Sequence, residues 1–293
     1  MNGDRFFQPG AATSQAYRNI RDLNTEPVPK AREFVEALWQ RYRGYEDPHF
    51  LSDAKTHFQE RFWEMYLAVA FVESGFCPSR SLGVGPEFSC VHEGQKIWFE
   101  AVVPGPGGGN DRVAHPTIGA AAYVPTEKIL LRFTGALAEK RNRYLAALEK
   151  GIVSKNDAYV LAINSRGVPH APFGNTLPFF VQAFLPIGPP TMLVDRATDK
   201  VVDSYYARRE TVSKTSGTVV STAPFLDPAF SFVSAVLHSA VDCVNRPEAL
   251  GGDFIVLHNP TADRRLDQSM FRWCGRQYVF EDDELKVVSN SAA

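Results

Sequence analysis

The segment from Lys96 to Val103, KIWFEAVV, is apolar almost without interruption, and its one internal charge is Glu100. Such a run suits a strand buried at the centre of a sheet, with helices covering the sheet. A carboxylate inside it is costly unless a cation pairs with it or a metal binds it. One segment therefore predicts both an α/β architecture and a candidate site.

Its surroundings extend the pattern. A preceding strand at about Gly85–Val91 carries Glu87, and the turn HEGQ joins the two. Before them the spacing predicts a helix over roughly Ser52–Ser74, with Phe58, Phe62, Met65, Val69 and Val72 on its apolar face and Gly75 at its end. Glu60 and Glu64 lie four residues apart on that helix, beside the apolar stripe. A long helix is predicted from about Pro125 to Gly151, with Thr126 as its amino-terminal cap, followed by a third buried strand at Ala158–Asn164. Strand, strand, helix, strand in this order predicts a mixed sheet with the long helix as crossover.

Upstream, Phe34, Val35, Leu38 and Trp39 have helical spacing, and Pro29 suits a first turn. Residues 1–27 read as a flexible arm. The glycine-rich PGPGGGNDRVAHP reads as a flexible or substrate-covering loop; no Gly-Lys-Ser/Thr follows its glycines, so it is not a P-loop. The second half adds a short helix in TLPFFVQAFLPIG, ended by Gly188 and the prolines after it. Strands are expected at Met192–Asp195, Val201–Tyr206, Gly217–Ser221, Phe230–Leu237 and Phe254–His258, and the tail QYVFEDDELKVV gives a strand or hairpin. One elaborated domain over 28–293 is expected, with a core at about 52–165 and a strand-rich extension over 176–293.

Composition narrows the function classes. With 44% hydrophobic and 22% charged residues, the 293-residue chain can bury a sizeable core. A net charge of −2 provides no global basic field, so nucleic acid would have to meet a local patch. Four scattered cysteines without a CxxC pair argue against structural zinc and a disulfide scaffold, and predict buried reduced thiols in a cytoplasmic protein. No apolar run reaches the ~20 residues that span a bilayer, and no signal pattern opens the chain.

The ordered set Glu64, Glu87, Glu100 resembles the PD-(D/E)xK, or restriction-endonuclease-like, phosphodiesterase superfamily. GPEF is similar to its Pro-Asp element with Glu87 for aspartate, and FEAV to its acid-x-lysine element with Val102 at the lysine place. KRNRY is similar to a Gln-x-x-x-Tyr helix motif of one branch, with Lys140 for glutamine. SFVSAVLHS and VLHNPTADRRL resemble bacterial proteins that join such a core to extra strands. The resemblance implies a restriction-endonuclease-like core with a mixed central sheet flanked by helices, and a nuclease active on nucleic acid, DNA favoured, in restriction or defence. It implies Mg²⁺ or Mn²⁺ held by Glu87, Glu100 and the Ala101 carbonyl, with Glu64 acting through water or on a second metal. Lys140 would replace the missing lysine, and Arg141, Arg143 and Tyr144 would meet substrate. Such cores often act as dimers, so a homodimer is open, although no interface signature marks the sequence.

Other readings stay beside this one. Val102 and the glutamate at 87 equally suit a nuclease-like module that has lost catalysis and binds nucleic acid or a protein. Lys140, Arg141 and Arg143 could form a solvated basic face. His238 reads as a packed histidine and Asn259 before Pro260 as a turn; His115 and His170 lack a second ligand at metal spacing. No Gly-x-Ser-x-Gly elbow or His-Glu-x-x-His helix is present.

Overall fold

The structure, a computed structural model, describes residues 5–81, 85–117, 119–121, 123–172 and 177–288. Parts of the expected arm (1–4) and extension (176 and 289–293) lie outside the described residues.

The first helices are α1 (Gln15–Asp22), α2 (Val28–Tyr42), α3 (Phe50–Ala54) and α4 (Phe58–Glu73). From Phe62 to Phe71 every residue of α4 except Glu64 is buried, which makes it a core helix rather than a surface one. Three short strands follow, β1 (Ser79–Arg80), β2 (Phe88–His92) and β3 (Gln95–Val102), as an antiparallel meander. Helix α5 (Thr126–Glu149) then leads to β4 (Ala158–Asn164), which lies parallel to β3 with Glu100 beside Leu161. The mixed α/β expectation, with the long helix as crossover, is what is found.

After β4 come α6 (Phe179–Phe184), the hairpin β5 (Ile187–Asp195) and β6 (Lys200–Arg208), and the pair β7 (Thr211–Ser213) and β8 (Val219–Ser221). The chain then returns to the main sheet as β9 (Ala235–Ser239), β10 (Ile255–His258), β11 (Arg276–Glu281) and β12 (Glu284–Val288). The main sheet has eight strands in the order β1-β2-β3-β4-β9-β10-β11-β12. Strand β9 is parallel to β4, so β3, β4 and β9 end at one common edge.

Alternation along β3 divides the two faces. Ile97, Phe99 and Ala101 join the core beneath α4, with Val160, Ala162 and Leu237. Trp98 packs instead with Tyr144 and Tyr159, and Val102 packs against the core that holds Ile129, Phe133 and Leu137 of α5. Side chains 98, 100 and 102 therefore share the α5 side.

Several expectations are corrected. Residues 5–27 are not a loose arm: Phe6 and Tyr17 are fully buried, and the Phe6 and Phe7 amides donate to the Glu36 carboxylate at 2.8 and 3.1 Å. The helix expected over 52–74 is two helices, because the Asp53 carbonyl takes the Thr56 and His57 amides and closes α3 early. Thr126 is the first residue of α5 rather than its cap, and it donates its hydroxyl to the Val124 carbonyl at 3.5 Å. The short helix ends at Phe184, so Gly188 and the prolines lie within β5, and the strand expected at Phe230–Leu237 begins only at Ala235.

The glycine-rich loop is tied down as well. Asn110 accepts from Lys128 at 2.7 Å, and Asp111 accepts from the Thr215 amide at 2.8 Å. At Gly107, φ is +81°, a left-handed backbone that favours glycine. Among the described residues no helix is long and apolar enough to cross a membrane.

Candidate functional site

The sheet edge where β3 ends bears a polar cavity of about 340 Å³, lined by Glu64, Glu87, Ala101, Lys140 and Arg143 among others. In open α/β sheets this carboxyl edge is where ligands usually bind.

Each acid arrives for a local reason. Phe88 pairs with Phe99, so the same antiparallel register carried one residue further sets Glu87 opposite Glu100. Glu64 is fixed by its neighbour, since the Trp63 indole donates to the Ala162 carbonyl at 3.0 Å and pins α4 over β4. Lys140 lies on the inner face of α5, and only 4% of its surface is exposed; for Glu100 the figure is 2%.

The Lys140 ammonium pairs directly with the Glu100 carboxylate. The Tyr159 hydroxyl donates to the other Glu100 oxygen at 3.4 Å, and the Arg143 guanidinium stands 3.8 Å from the first. Burial, with the Glu100 charge beside it, pushes the Tyr159 hydroxyl well above its ordinary range, so it stays a donor. Glu64 is held by Arg61 at 2.7 Å, and Arg61 also binds Asp47 at 3.2 Å and Asp53 at 2.8 Å. Burial raises the Glu64 carboxyl against that attraction.

Glu87 is different. Its carboxylate accepts the Ala101 amide at 2.9 Å and has no ion pair among the described residues. Burial, followed by the Glu100 charge, pushes it up to about 8 against the pull of Lys140. Arg61 matches Glu64 and Lys140 matches Glu100, which leaves Glu87 as the unmatched carboxylate of the group.

The sequence-derived set is thus partly assembled. Glu64, Glu87, Lys140 and Arg143 line one cavity, and Glu100 lies behind it, paired with Lys140 and 3.8 Å from Arg143. Ala101 touches Glu87, but through its N–H rather than the carbonyl that the resemblance implies as a ligand. Arg141 is turned away, donating to the Ala229 carbonyl at 3.1 Å. Tyr144 stacks on Phe232 at 4.2 Å and meets Tyr159 edge-on at 5.1 Å, so it backs the site instead of facing it. Two participants were missed. Arg61 could have been found, since it stands three residues before Glu64 on one helix. Tyr159 gave no signal, because its position depends on parallel pairing with Trp98.

Among the described residues no three His, Cys, Asp or Glu side chains gather as a metal-holding group. Mg²⁺ needs less: one or two carboxylates suffice, with water in the remaining positions. Glu87 is a hard oxygen donor without an ion pair among the described residues and so could give such an ion one carboxylate, whereas Glu64 and Glu100 already answer Arg61 and Lys140. Comparison with family models, with curated proteins and with solved structures finds no match to the chain.

Proposed function

We propose that the chain is a Mg²⁺- or Mn²⁺-dependent phosphodiesterase that acts on nucleic acid, with DNA as the favoured substrate, through a restriction-endonuclease-like core over about 52–165. The observation that carries this reading is the unmatched Glu87 carboxylate beside the Glu100–Lys140 pair in an open polar cavity. The succession α4, antiparallel β1–β3, α5 and parallel β4 supports it, as does the lysine supplied from α5 where Val102 stands on the strand.

Under this reading Glu87 and Glu100 would hold the ion with the Ala101 carbonyl, and Glu64 would act on it through water. The ion, when bound, lowers the pKa of water and offsets charge at phosphorus. Lys140 pairs with Glu100 and holds it in place, and would present a positive charge to the phosphate. Arg143, exposed at the mouth, grips a neighbouring phosphate. Val102 and Ala101 wall the cavity with apolar surface, which strengthens these charge interactions.

The deciding experiment is cleavage of plasmid DNA, oligodeoxynucleotides and RNA in Mg²⁺ or Mn²⁺ by the full chain and by Glu87→Gln. The variant should lose about a hundredfold or more in rate while keeping its fold. Undiminished cleavage by Glu87→Gln would remove Glu87 from the chemistry and the proposal with it.

A second reading rests on the commitment of Glu100 to Lys140 and Tyr159, and of Glu64 to Arg61. A site closed in that way suits a nuclease-like module that binds without cutting. Calorimetric titration with Mn²⁺ separates the two: uptake that Glu87→Gln abolishes supports the enzyme, and nucleic-acid binding with no ion uptake supports the module.

A further inference from the structure

A second cavity, of about 380 Å³, opens where β9 ends, and His238, Val241, Arg246 and Arg276 are among its lining residues. Strands β3, β4 and β9 run parallel, so this cavity and the glutamate cavity lie on the same carboxyl edge of the sheet. The Asn164 amide at the end of β4 donates to the Val241 carbonyl at 2.9 Å and ties the two sides together. Two strand spacings, about 10 Å, separate β3 from β9.

Phe133, Phe179, Pro172 and Pro178 make part of the lining apolar. Against it stands His238, only 8% exposed, its ring stacked on Phe180 at 4.5 Å and 13°. Nδ1 of His238 is buried without a hydrogen-bond partner among the described residues. An imidazole in that condition is unusual, because buried polar nitrogens are nearly always satisfied.

The mouth is cationic. Arg276 and Arg246 are exposed; the first donates to the Tyr278 hydroxyl at 3.1 Å, the second to the Cys243 carbonyl at 2.8 Å. Each guanidinium has five N–H groups, so both retain donors for an anion. Asp253, the acid on this lining, is tied by the hydroxyls of Tyr66 and Ser239. The cavity therefore combines an apolar part, an imidazole whose Nδ1 lacks a hydrogen-bond partner among the described residues and two exposed arginines, in a volume within the ordinary range for small ligands.

We propose that this cavity binds one nucleotide unit, its base against His238 and Phe133 and its phosphate at Arg246 and Arg276. A base offers the planar face and the ring-edge hydrogen-bonding groups that the interior lacks, and a phosphate matches the fork of a guanidinium. The unit comes either from a free mononucleotide or from a single strand laid along the sheet edge. Binding here needs no metal and does not depend on the cleavage reading.

The test is equilibrium binding to the full chain in EDTA, by calorimetry for AMP, GMP, CMP and UMP and by fluorescence anisotropy for a labelled single-stranded oligodeoxynucleotide. Wild type should bind, and His238→Phe and Arg276→Gln should each weaken binding about tenfold or more. Arg276 is exposed, so its variant tests the site even if His238→Phe fails to fold. Mononucleotide binding with these losses assigns the cavity to free nucleotides, and oligonucleotide binding alone assigns it to a strand. The proposal is overturned if neither probe binds, or if a folded variant of either residue binds as wild type does. Binding is read in EDTA, without cleavage, so a failed cleavage test leaves this result independent.

Discussion

Lys140 of α5 closes on Glu100 of β3 across forty residues of sequence, and both side chains are withdrawn from solvent. The helix delivers its ammonium to the strand face shared by positions 98, 100 and 102. Val102 leaves that face without a cation of its own, and Lys140 supplies one from the helix packed above it.

Breaking this pair should be costly. Lys140→Met leaves the Glu100 carboxylate buried without its cation and should destabilise the fold by about 3–5 kcal/mol. Combining it with Glu100→Gln should recover much of that loss, because a neutral amide keeps the Tyr159 contact and needs no counter-charge. Urea denaturation of the two singles and the double gives the coupling energy, and additive losses would show that the pair contributes nothing as a unit.

The position of the cation should be exchangeable. In Val102→Lys/Lys140→Met the strand residue would point to the same face and take over the pairing with Glu100. The double variant should be more stable than Lys140→Met alone and, under the proposed function, recover part of the cleavage rate. Val102→Lys alone should destabilise, since it sets a second ammonium beside the first. Melting temperatures and cleavage rates of the three variants check this.

Stability in EDTA should fall with rising pH because of Glu87. Its carboxyl is raised from 4.5 to about 8 in the fold. Between those values the native state holds a proton that the unfolded chain has released, so the contribution is full below about 4.5 and lost as pH climbs to about 8. Glu87→Gln cannot titrate and should flatten that fall, becoming more stable than wild type at the alkaline end. Parallel denaturation curves across the window are the measurement, and equal slopes for both proteins would remove Glu87 as the cause.

His238 predicts the opposite slope at acid pH. Burial lowers its imidazole from 6.5 to about 3, so the unfolded chain gains a proton in that window that the native state refuses. Its contribution is full above about 6.5 and disappears as pH drops towards 3. His238→Phe, which can keep the stacking on Phe180, should lessen this acid sensitivity in the same denaturation series. Wild-type acid sensitivity in that variant would mean that other groups carry it.

The segments that were easiest to read are those with a strong internal pattern. KIWFEAVV and AYVLAIN are strands, and the long helix spans nearly the expected range, because periodicity and apolar runs are properties of neighbours along the chain. The amino-terminal segment was misread for the converse reason. Phe6 and Phe7 are held by Glu36 and by the rings of Tyr17 and Phe58, none of which a short window can link to them. The break between α3 and α4, where the Asp53 carbonyl takes the Thr56 and His57 amides, likewise carries no strong breaker in the sequence. At the site, the Arg61–Glu64 pair was within reach of helical spacing, whereas the turn of Arg141 towards Ala229 and the packing of Tyr144 on Phe232 were not.

The amino-acid order by itself determined which segments become strands and helices, and it set a carboxylate inside a run too apolar to leave it without a partner. It left open whether Lys140 faces the site or belongs to a solvated basic face with Arg141 and Arg143. Only the tertiary structure decided that β9 joins β4 in parallel, that Lys140 rather than a strand residue answers Glu100, and that Glu87 stays without an ion pair. Those outcomes follow from contacts between distant segments. Their free energies come from burial and charge pairing across the assembled sheet, which no local pattern encodes.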